Sequence, residues 1–392
     1  MNRLQELIQT LCPDGIEFRS LKNVCKFINT GKLNANAMVK DGIYPFFTCD
    51  AKPFRINEYA FNTEAIIVSG NGSQVGHINY YKGKFNAYQR TYVLSKFIPE
   101  INVFFLFYYL KCNLKKHIII NSKKGSVPYI TLPILQNFGI PIPPLAVQEE
   151  IVRILDAFTS YAAELQAELQ ARKEQYAYYR DQLLTFDEHA EGVEWKKLGE
   201  IGTFTRGNGL QKKDFTETGF PCIHYGQIHT HYGTFADTTI SYTSNALAQK
   251  LRKASYGDLI IATTSEDVEG VCKACTWLGK EDVAVSGDSY IYKHNQNPKY
   301  IAYLFQTKLF YEYKRKAAIG TKVVRVTGKS MENFIFPIPS LIRQQRIVAI
   351  LDKFEALVND LTEGLPAEIA AVQEQYEYYR NKLLSFPKIT EA

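Results

Sequence analysis

Cysteine and histidine side chains gather in the central part of the sequence, and these residue types often bind zinc in proteins. The single C-x-x-C pair is weak evidence for such a site, because structural zinc usually takes a second pair of ligands at similar spacing. The histidines lie in a stretch rich in Tyr and Gly that predicts a strand and a loop. We therefore favour structural roles over metal binding for Cys222, His224, His229, His231, Cys272 and Cys275.

Motifs that organise a catalytic or cofactor site are missing from the sequence. It has no G-x-x-x-x-G-K-[ST] phosphate loop, no H-E-x-x-H, and no Gly-rich turn that would seat a dinucleotide or a methyl donor. TRGNGLQ at Thr205 has glycines without a following helix, and IPPL at Ile142 lacks the flanking residues of an adenine-methyltransferase [DNS]-P-P-[YFW] signature. The sequence therefore predicts a protein that is not an enzyme and binds no metal.

Polar turns interleaved with aromatic residues indicate a different chemistry, that of nucleic-acid recognition. Aromatic residues make up 13% of the chain, and in two long segments they alternate with Lys, Arg, Asn, Gln and Thr. Cationic side chains engage phosphates, while amides and hydroxyls read base edges. An ordinary solvated role is the alternative for each residue. The candidate DNA-binding residues are Asn71, Ser73, Gln74, His77, Gln89, Arg90, Lys123, Lys124 and Tyr129 in the first segment, and Arg206, Lys212, Lys213, Tyr225, Gln227, Thr264, Ser265, Thr321, Lys322 and Arg325 in the second.

Charge is unevenly distributed along the chain. Residues 1–145 contain 17 basic and 8 acidic residues, and residues 187–340 contain 19 and 17. Residues 146–186 contain 4 basic and 7 acidic residues, and residues 341–392 contain 6 and 8. The two long segments are thus net positive and suit a polyanionic partner such as DNA, with solubility as the alternative reason for the charge.

Length and composition indicate an ordinary globular protein. With 392 residues, 46% of them hydrophobic, the chain can form two domains and connecting elements. Seven cysteines at irregular spacings indicate reduced thiols. Since no stretch approaches the ~18 apolar residues of a membrane span and the start MNRLQELIQTLCPDG is unlike a signal peptide, we expect a cytoplasmic protein.

The two halves of the chain repeat one another. FGIPIPPLAVQEEIVRILDAF from Phe138 matches FIFPIPSLIRQQRIVAILDKF from Phe334, and KEQYAYYRDQLLTF matches QEQYEYYRNKLLSF near the C-terminus. Upstream, GIEF at Gly15 resembles GVEW at Gly192, and GSVPYIT resembles GTKVVRVT. The chain is therefore a duplication in which each half is a globular segment followed by a helix.

The helix of each half has the heptad spacing of a coiled coil. Seam residues recur at alternating steps of four and three. They form an apolar stripe that is narrower than the apolar face of a helix in a globular protein. At ~1.5 Å per residue the first helix runs for roughly 50–60 Å. Its seam is Ile151, Leu155, Phe158, Ala162, Leu165, Leu169, Arg172, Tyr176, Tyr179 and Leu183. The second seam is Ile347, Leu351, Phe354, Val358, Leu361, Leu365, Ile369, Val372, Tyr376, Tyr379 and Leu383.

The second helix is irregular and the first is not. Consecutive steps of four from Leu361 to Ile369 form a stutter, and Gly364 and Pro366 predict a break or kink there. The first helix instead contains AAELQAEL from Ala162, two tetrads in register. Each such block would lengthen the helix by ~6 Å and rotate it by ~40°.

Two seams in one chain are most economically buried against each other. Antiparallel packing would carry the two globular segments to opposite ends of the helical pair, and parallel packing would place them at one end. The two-fold relation of the halves favours the antiparallel arrangement. The helices are then spacers that hold two DNA-reading segments at a set distance.

Both globular segments show short β-rich runs separated by turn residues. EAIIVSGNGSQVGHINYYKGKFNAYQRTYVLS from Glu64 predicts three strands, and GDLIIATTSEDVEGVCKACTWLGKEDVAVSGDSYIYK from Gly257 is its counterpart. One helix is expected after each, over NVFFLFYYLKCNLKKHI and over PKYIAYLFQTKLFYEYKRKA. Each segment is therefore predicted to be α+β.

Together these features resemble the specificity subunit of type I restriction-modification systems. The resemblance rests on the duplicated PIP-L--Q--IV-ILD-F, the paired QY-YYR--LL-F endings, the AAELQAEL tetrads and the motif GDLIIATTSED, and it spans nearly the whole chain. It implies an α+β fold with two β-rich target-recognition domains, 1–145 and 187–340, each reading half of a bipartite DNA site. They would be separated by a two-helix antiparallel coiled coil formed by 146–186 and 341–392.

The same resemblance implies partners. Methyltransferase (modification) subunits would bind S-adenosylmethionine, restriction subunits would use ATP and magnesium, and this chain would hold no cofactor. The helices would dock the modification subunits, although Gly364 and Pro366 leave the spacer length open. The residues assigned to packing and docking are Ile151, Leu155, Phe158, Leu165, Leu169, Tyr176, Tyr179, Arg180, Leu183, Ile347, Leu351, Phe354, Val358, Leu361, Tyr376, Tyr379, Arg380 and Leu383.

Two other functions fit part of the same pattern. A stand-alone two-headed DNA-binding regulator would use the same segments without enzyme partners, and co-purification with a methyltransferase subunit distinguishes it. A nuclease or methyltransferase with a divergent active site would act on DNA when incubated alone with S-adenosylmethionine or magnesium. We expect no product from the purified chain.

Overall fold

The long helix predicted after the first globular segment is present as one uninterrupted element. The computed structural model describes residues 2–121, 129–359 and 364–386. The chain divides into unit 1, Met1–Leu165 with Ile369–Ala392, and unit 2, Gln166–Glu368. The division lies inside the helical regions, so each unit contains one globular segment and parts of both repeat helices.

Unit 1 is built from a six-stranded sheet packed against helices. The helices are α1 (Asn2–Leu11), α2 (Leu21–Val24), α3 (Val103–Asn121), α4 (Leu132–Gln136) and the first part of α5 (Leu145–Leu184). The strands are β1 (Phe18–Ser20), β2 (Cys25–Thr30), β3 (Tyr44–Phe47), β4 (Phe54–Ile56), β5 (Phe61–Ser69), β6 (Ile78–Ala87), β7 (Thr91–Phe97) and β8 (Gly139–Pro141). The sheet order is β2-β7-β5-β6-β3-β4, and β1 pairs with β8.

Unit 2 repeats this plan with shorter strands and more sheets. Its strands are β9 (Val193–Lys197), β10 (Gly202–Arg206), β11 (Phe215–Thr216), β12 (Phe220–Ile223), β13 (Phe235–Ala236), β14 (Tyr242–Thr243), β15 (Lys253–Ala254), β16 (Leu259–Ala262), β17 (Thr264–Ser265), β18 (Lys273–Trp277), β19 (Val283–Val285), β20 (Ser289–His294), β21 (Val324–Arg325) and β22 (Ile335–Pro339). They form sheets β10-β20-β16-β18-β13 and β11-β14-β12-β19-β15 and the pairs β17-β21 and β22-β9.

The helices of unit 2 lie between and after these strands. They are α6 (Leu198–Ile201), α7 (Tyr225–Thr230), α8 (Asn245–Ala248), α9 (Pro298–Leu304), α10 (Lys308–Ala317), α11 (Gly328–Glu332) and α12 (Leu341–Asn359), and α13 (Leu365–Leu383) begins in this unit and ends in unit 1. α12 and α13 are separate helices. The break predicted at Gly364 and Pro366 is therefore confirmed.

The central strand of each main sheet serves two cores, because successive side chains point to opposite faces. In β5, Ile66 and Val68 pack in the core formed with α3, while Ile67 packs with Phe47 and Phe85 on the other face. In β16, Leu259 and Ile261 face the core formed with α9 and α10, and Ile260 faces the opposite one. Continuous apolar runs thus mark strands that are covered on both sides.

One sequence-based expectation for unit 2 is wrong, because two helices replace the single helix predicted over PKYIAYLFQTKLFYEYKRKA. α9 ends at Leu304 and α10 begins at Lys308. The Thr307 hydroxyl accepts a hydrogen bond from the Phe310 N–H at 3.2 Å. A capping threonine starts a new helix at this point, since its side chain satisfies an N–H that a helix leaves unpaired.

A buried glutamine joins each globular segment to its helix. Gln148 in α5 is fully buried and accepts a hydrogen bond from the Asn102 N–H at 2.8 Å. Its amide group donates to the backbone oxygens of Glu100 at 2.8 Å and Pro143 at 2.6 Å. All of its hydrogen-bonding groups therefore serve to fix the start of α3 against the start of α5.

A buried glutamine makes a corresponding set of contacts in unit 2. Gln344 of α12 is also fully buried and accepts from the Asn297 N–H at 2.9 Å. Its amide donates to the Pro339 oxygen at 2.8 Å and to the side-chain oxygen of Gln296 at 2.8 Å. The duplicated motif around PIP-L--Q thus places one buried amide at the same junction in both units.

The repeat helices pair in opposite directions. In unit 1, Phe158 from the early part of α5 stacks on Tyr379 near the end of α13, with 5.6 Å between ring centroids. In unit 2, Tyr176 and Tyr179 from the late part of α5 stack on Phe354 of α12 at 6.5 and 5.6 Å. This crossed pairing is that of antiparallel helices, which confirms the predicted fold class.

Candidate nucleic-acid interface

In unit 1 the turns that follow β5 and β6 meet at one edge of the six-stranded sheet. The Gly70 N–H donates to the Arg90 oxygen at 2.9 Å, and the Gly70 oxygen accepts from the Ile130 N–H at 2.7 Å. Asn71 and Tyr129 face each other in an isolated β-bridge. The structure therefore brings together Asn71, Arg90 and Tyr129, three predicted DNA-binding residues from three separate stretches of sequence.

The other predicted residues of unit 1 lie in the same turns or outside the described part of the chain. Ser73 and Gln74 are exposed in the turn before β6. That turn is closed at His77, whose oxygen accepts from the Ser69 N–H at 2.9 Å. Gln89 is exposed, and its amide donates to the Asn34 side-chain oxygen at 2.6 Å. Lys123 and Lys124 lie outside the described residues.

Two further loops, which the sequence analysis did not identify, lie at this edge. The Gln89 N–H donates to the Leu33 oxygen at 2.9 Å, which brings the exposed side chains of Lys32 and Asn34 to the edge. The Cys49 thiol donates to the Arg90 oxygen at 3.5 Å. The polar run GKLNAN from Gly31 is the sequence feature that could have indicated the first of these loops. We call residues 30–34, 48–50, 70–77, 88–91 and 129–130 the recognition edge of unit 1.

Unit 2 has a matching edge held by the same backbone hydrogen bonds. Thr263 takes the place of Gly70, because its N–H donates to the Asp288 oxygen at 3.1 Å and its oxygen accepts from the Val326 N–H at 3.2 Å. The Gly207 N–H donates to the Ser289 oxygen at 2.9 Å. In unit 1 the Gly31 N–H donates to the Thr91 oxygen at 3.2 Å in the same way. The recognition edge of unit 2 comprises residues 206–213, 224–227, 263–265, 272, 286–289 and 319–326.

The shared hydrogen bonds define which residues of the two edges are equivalent. Each pair below occupies one backbone position, and the side chains differ in size, charge or hydrogen-bonding capacity at every one. The pairs, unit 1 first, are Thr30 and Arg206, Gly70 and Thr263, Asn71 and Thr264, Gly76 and Cys272, Arg90 and Asp288, and Tyr129 and Arg325.

Arg206 in unit 2 and Arg90 in unit 1 are held differently. Arg206 donates to the Gly287 oxygen at 2.7 Å and lies 3.4 Å from the Asp288 carboxylate, so it is tethered to its own loop. Arg252 also donates to the Arg206 oxygen. Arg90 is exposed, and its side chain makes no hydrogen bond or ion pair with any residue that the structure describes. Arg90 is thus the cation that is more available to a ligand.

Several predicted residues of unit 2 have internal roles. The Gln227 side chain accepts from the His224 N–H at 2.9 Å and donates to the Ser241 hydroxyl at 2.6 Å, so both of its polar groups are engaged. Thr264 is buried and pairs with Arg325 across β17 and β21. The Tyr225 N–H donates to the Ser286 hydroxyl at 2.9 Å. The exposed predicted residues are Arg206, Lys212, Lys213, Thr321, Lys322 and Arg325, and Ser265 and Tyr225 are half-buried.

The histidines near Cys222 lie at the start of, within and just after the short helix α7, where a loop was expected after the strand. His224 Nδ1 accepts from the Gly226 N–H at 3.2 Å and caps α7. Burial is the main cause, and the nearby Lys212 ammonium a lesser cause, of a lowered pKa of His224. His229 Nε2 lies 2.9 Å from the Thr264 oxygen. These imidazoles therefore serve the fold of the recognition edge.

Cys272 and Cys275 are buried thiols. Burial raises the pKa of each to about 12, so both remain protonated at neutral pH. Within residues 2–121, 129–359 and 364–386 no group of three or more His, Cys, Asp or Glu side chains could hold a metal ion. In the same residues no helix is both long and apolar enough to span a membrane.

The residues assigned to helix packing and docking make contacts within each unit. The Tyr176 hydroxyl donates to the Glu355 carboxylate at 2.6 Å, and the Arg180 guanidinium lies 5.6 Å from the Tyr176 ring. Arg380 lies 5.5 Å from the Tyr376 ring in the same way. Tyr179 is exposed, and Leu361 lies outside the described residues. The buried members are Ile151, Leu155, Leu165, Tyr176, Ile347, Leu351, Val358 and Leu383, and the half-buried ones are Phe158, Leu169, Arg180, Leu183, Phe354, Tyr376, Tyr379 and Arg380.

Comparison with known proteins shows which family the chain belongs to. The model of the type I restriction modification DNA specificity domain matches residues 13–174 and again residues 190–371. The chain belongs to this family. The double match confirms the family predicted from the repeat, with one specificity domain in each half.

Individual relatives agree with this assignment. The chain is 31% identical over 391 residues to a putative type I restriction enzyme specificity subunit of Haemophilus influenzae, a match that covers 95% of this chain and 96% of the relative. It is 38% identical over 281 residues to the EcoR124I/EcoR124II specificity subunit of Escherichia coli, covering 70% of this chain and 66% of the relative. These relatives are specificity subunits, so the predicted non-catalytic role is confirmed.

Solved structures share the fold at low sequence identity. The S subunit of a type I restriction-modification system from M. genitalium is 17% identical, with a TM-score of 0.56, and the match covers 96% of this chain and 97% of that one. A chain from a study of complex assembly in the type I system is also 17% identical, with a TM-score of 0.63 and coverage of 94% and 97%. Both support the architecture of two domains and helices.

Proposed function

We propose that this chain is the DNA sequence-recognition subunit of a type I restriction-modification complex, in which each unit reads one half of a bipartite site. The observation that supports it most directly is the pair of recognition edges. They share one set of backbone hydrogen bonds and differ in the side chains at each equivalent position. One scaffold with two unlike sets of side chains suits two unlike half-sites, because side chains carry direct base readout.

The repeat helices set the distance between the half-sites in this proposal. The AAELQAEL tetrads lie within the uninterrupted helix α5, where a change in length moves everything that follows along the helix axis. Deleting Gln166–Leu169 would shorten the helix by ~6 Å. At ~3.4 Å per base pair, the spacer of the recognised site should shorten by one to two base pairs.

Methylome sequencing of cells that express the chain with its modification subunit tests this idea. The deletion variant should keep both half-site sequences and change only the spacer. The matched control is the double variant Gln166→Ala and Glu168→Ala, which alters the tetrad without altering its length. A deletion that changed bases within a half-site would contradict the spacer role.

Partners and location follow from the same proposal. Methyltransferase subunits with S-adenosylmethionine and restriction subunits with ATP and magnesium would supply the chemistry, and this chain would bind no cofactor. The acidic balance of the helical regions favours a protein partner over a phosphate backbone there. The complex would act in the cytoplasm, where free cysteines such as Cys49 and Cys112 stay reduced. Failure to co-purify with a modification subunit would favour a stand-alone DNA-binding regulator.

Residues at the unit 2 edge should affect only one half-site. Lys322→Ala or Arg325→Ala should cost ~1–3 kcal/mol against the correct base if the side chain contacts it. Binding to duplexes altered in one half-site at a time measures this. Equal weakening on all DNA sequences would indicate phosphate contacts instead.

A further inference from the structure

A narrow loop projects from the recognition edge of unit 2. Ile319 and Arg325 exchange both of their backbone hydrogen bonds at 2.9 Å. Gly320 has φ of +108°, and a Cβ there would lie 2.2 Å from the Val323 oxygen, so only glycine fits. The loop is therefore held in one closed form, and we call residues 319–325 the finger.

The finger is anchored to the core at one end. Val324 and Val326 are buried, and Val324 belongs to the core that contains α9 and α10. Arg325 pairs with Thr264 of β17, and the Val326 N–H donates to the Thr263 oxygen at 3.2 Å. A ligand at the finger is consequently within reach of the rest of the unit 2 edge.

The finger exposes two apolar side chains. The Ile319 side chain is 65% exposed and that of Val323 is 46% exposed. Exposed apolar side chains on a rigid loop lose little conformational entropy when they bind, because the loop is already ordered. The finger therefore offers two preorganised apolar contacts to a partner.

The charged side chains of the finger itself are positive. Lys316, Lys322 and Arg325 are exposed and form no ion pair within the part of the chain that the structure describes. No acidic residue occurs from Lys316 to Thr327. The partner should therefore be anionic and present apolar groups at its surface, which is the chemistry of duplex DNA in which thymine methyl groups line the major groove.

We propose that the finger recognises thymine in the half-site bound by unit 2, with Ile319 and Val323 in contact with the thymine C5-methyl group. This inference rests on the proposed function and names the base that one part of the site recognises. Lys322 and Arg325 hold the finger in the groove through the phosphates and base edges on either side. An acidic protein surface is the other partner that such a finger would fit, and the experiment separates the two.

The test replaces thymine by uracil, which removes the methyl group and keeps every hydrogen-bonding atom. The complex with its modification subunit is bound to duplexes that carry its mapped site, with each thymine of the second half-site replaced in turn. Loss of one buried methyl contact should weaken binding about fourfold at one or two positions. In the double variant Ile319→Ala and Val323→Ala, the same replacements should have no effect.

The control variant is Ile240→Ala, which truncates an isoleucine that is 52% exposed in the same unit but outside the finger. It should keep the uracil sensitivity, and uracil in the first half-site should affect all variants equally. The inference is overturned if the second half-site contains no thymine, if wild type is insensitive to uracil there, or if the double variant stays sensitive. It is also overturned if that variant loses subunit assembly while its DNA binding is unchanged.

Failure of the inference differs from failure of the proposed function. A complex that methylates a bipartite site but ignores the thymine methyl groups refutes the role of the finger alone. A chain that directs no sequence-specific methylation with its modification subunit refutes both.

Discussion

The recognition edges of unit 1 and unit 2 share their backbone hydrogen bonds and differ in their side chains. Gly70 and Thr263 occupy one position, and Arg90 and Asp288 another, although their chemistry is unrelated. The bonds that hold the edge are made by N–H and carbonyl groups, which every residue except proline supplies. The comparison shows that side chains at this edge can change without a change in the scaffold, which is what new base preferences require.

The buried glutamines, one in each unit, give the largest expected effects. Gln148→Leu should lower the free energy of unfolding of unit 1 by about 3 kcal/mol, because three backbone groups lose their partner. Gln344→Leu should cost about 2 kcal/mol, since Gln296 can turn its side chain to water. Hydrogen exchange followed by mass spectrometry measures each unit separately. Gln345→Leu, an exposed neighbour, is the control, and a larger loss in unit 2 would contradict the comparison.

Acid should destabilise unit 2 through His294. This imidazole is half-buried, its Nε2 is buried without a hydrogen-bond partner among the residues that the structure describes, and burial lowers the pKa of His294 to about 4. Because the unfolded chain binds the proton near its usual pKa of ~6.5, stability is full above that pH and falls as the pH drops towards 4. Between pH 7 and 5 the loss should be about 2 kcal/mol.

Urea denaturation at the two pH values checks this acid effect. His294→Gln should remove most of the pH dependence, while His231→Gln, which changes an exposed histidine of the same unit, should not. Unit 1 has the exposed Lys96 at the equivalent strand position, where the charge stays in water. An unchanged pH profile in His294→Gln would show that another group is responsible.

A third difference concerns Gly76 and Cys272, which have positive φ angles of +78° and +60°. Gly76→Ala should cost about 1–2 kcal/mol, because alanine is strained there and its Cβ would lie 2.9 Å from the Ile118 side chain. Cys272→Gly should be less destabilising than Cys272→Ala by about 1 kcal/mol, since glycine relieves the strain. Thermal unfolding measures both. At Cys275, which lies in a strand, the order of the two substitutions should reverse. Cys275→Ala should be less destabilising there than Cys275→Gly.

The arginines of the two edges give the smallest effect. Arg90→Ala should weaken DNA binding about fivefold and reduce its salt dependence, because this cation is not engaged by its own loop. Arg206→Ala should have less effect, since Arg206 is already held by Gly287 and Asp288. Fluorescence anisotropy at several salt concentrations measures both. Asp288→Asn should release Arg206, and equal losses for the two arginines would contradict this comparison.

Features that depend on periodicity or on the internal repeat could be predicted from the sequence. The seam from Ile151 to Leu183 extends over many heptads, and the apolar run of β5 is long enough to be recognised. The strands of two residues in unit 2, such as Phe215–Thr216, are too short to show any period. The start of α10 depends on a single capping residue, Thr307, that resembles many threonines in loops.

The candidate site was predictable only where its residues lie in turns. Arg90 and Tyr129 stand in polar turns and were named, and the structure brings them together. Lys32 and Asn34 reach the same edge through a hydrogen bond from Gln89 to Leu33, a pairing over a long sequence separation that composition does not reveal. Gln227 appeared available, but its neighbours Ser241 and His224 use both of its polar groups.

The first and last strands of each globular segment are hydrogen-bonded neighbours, since β1 pairs with β8 and β9 pairs with β22. The chain therefore enters and leaves each globular segment at almost the same point. The residues between form a segment whose two ends are hydrogen-bonded to each other. Side chains within such a segment can therefore change while both of its ends stay paired with each other.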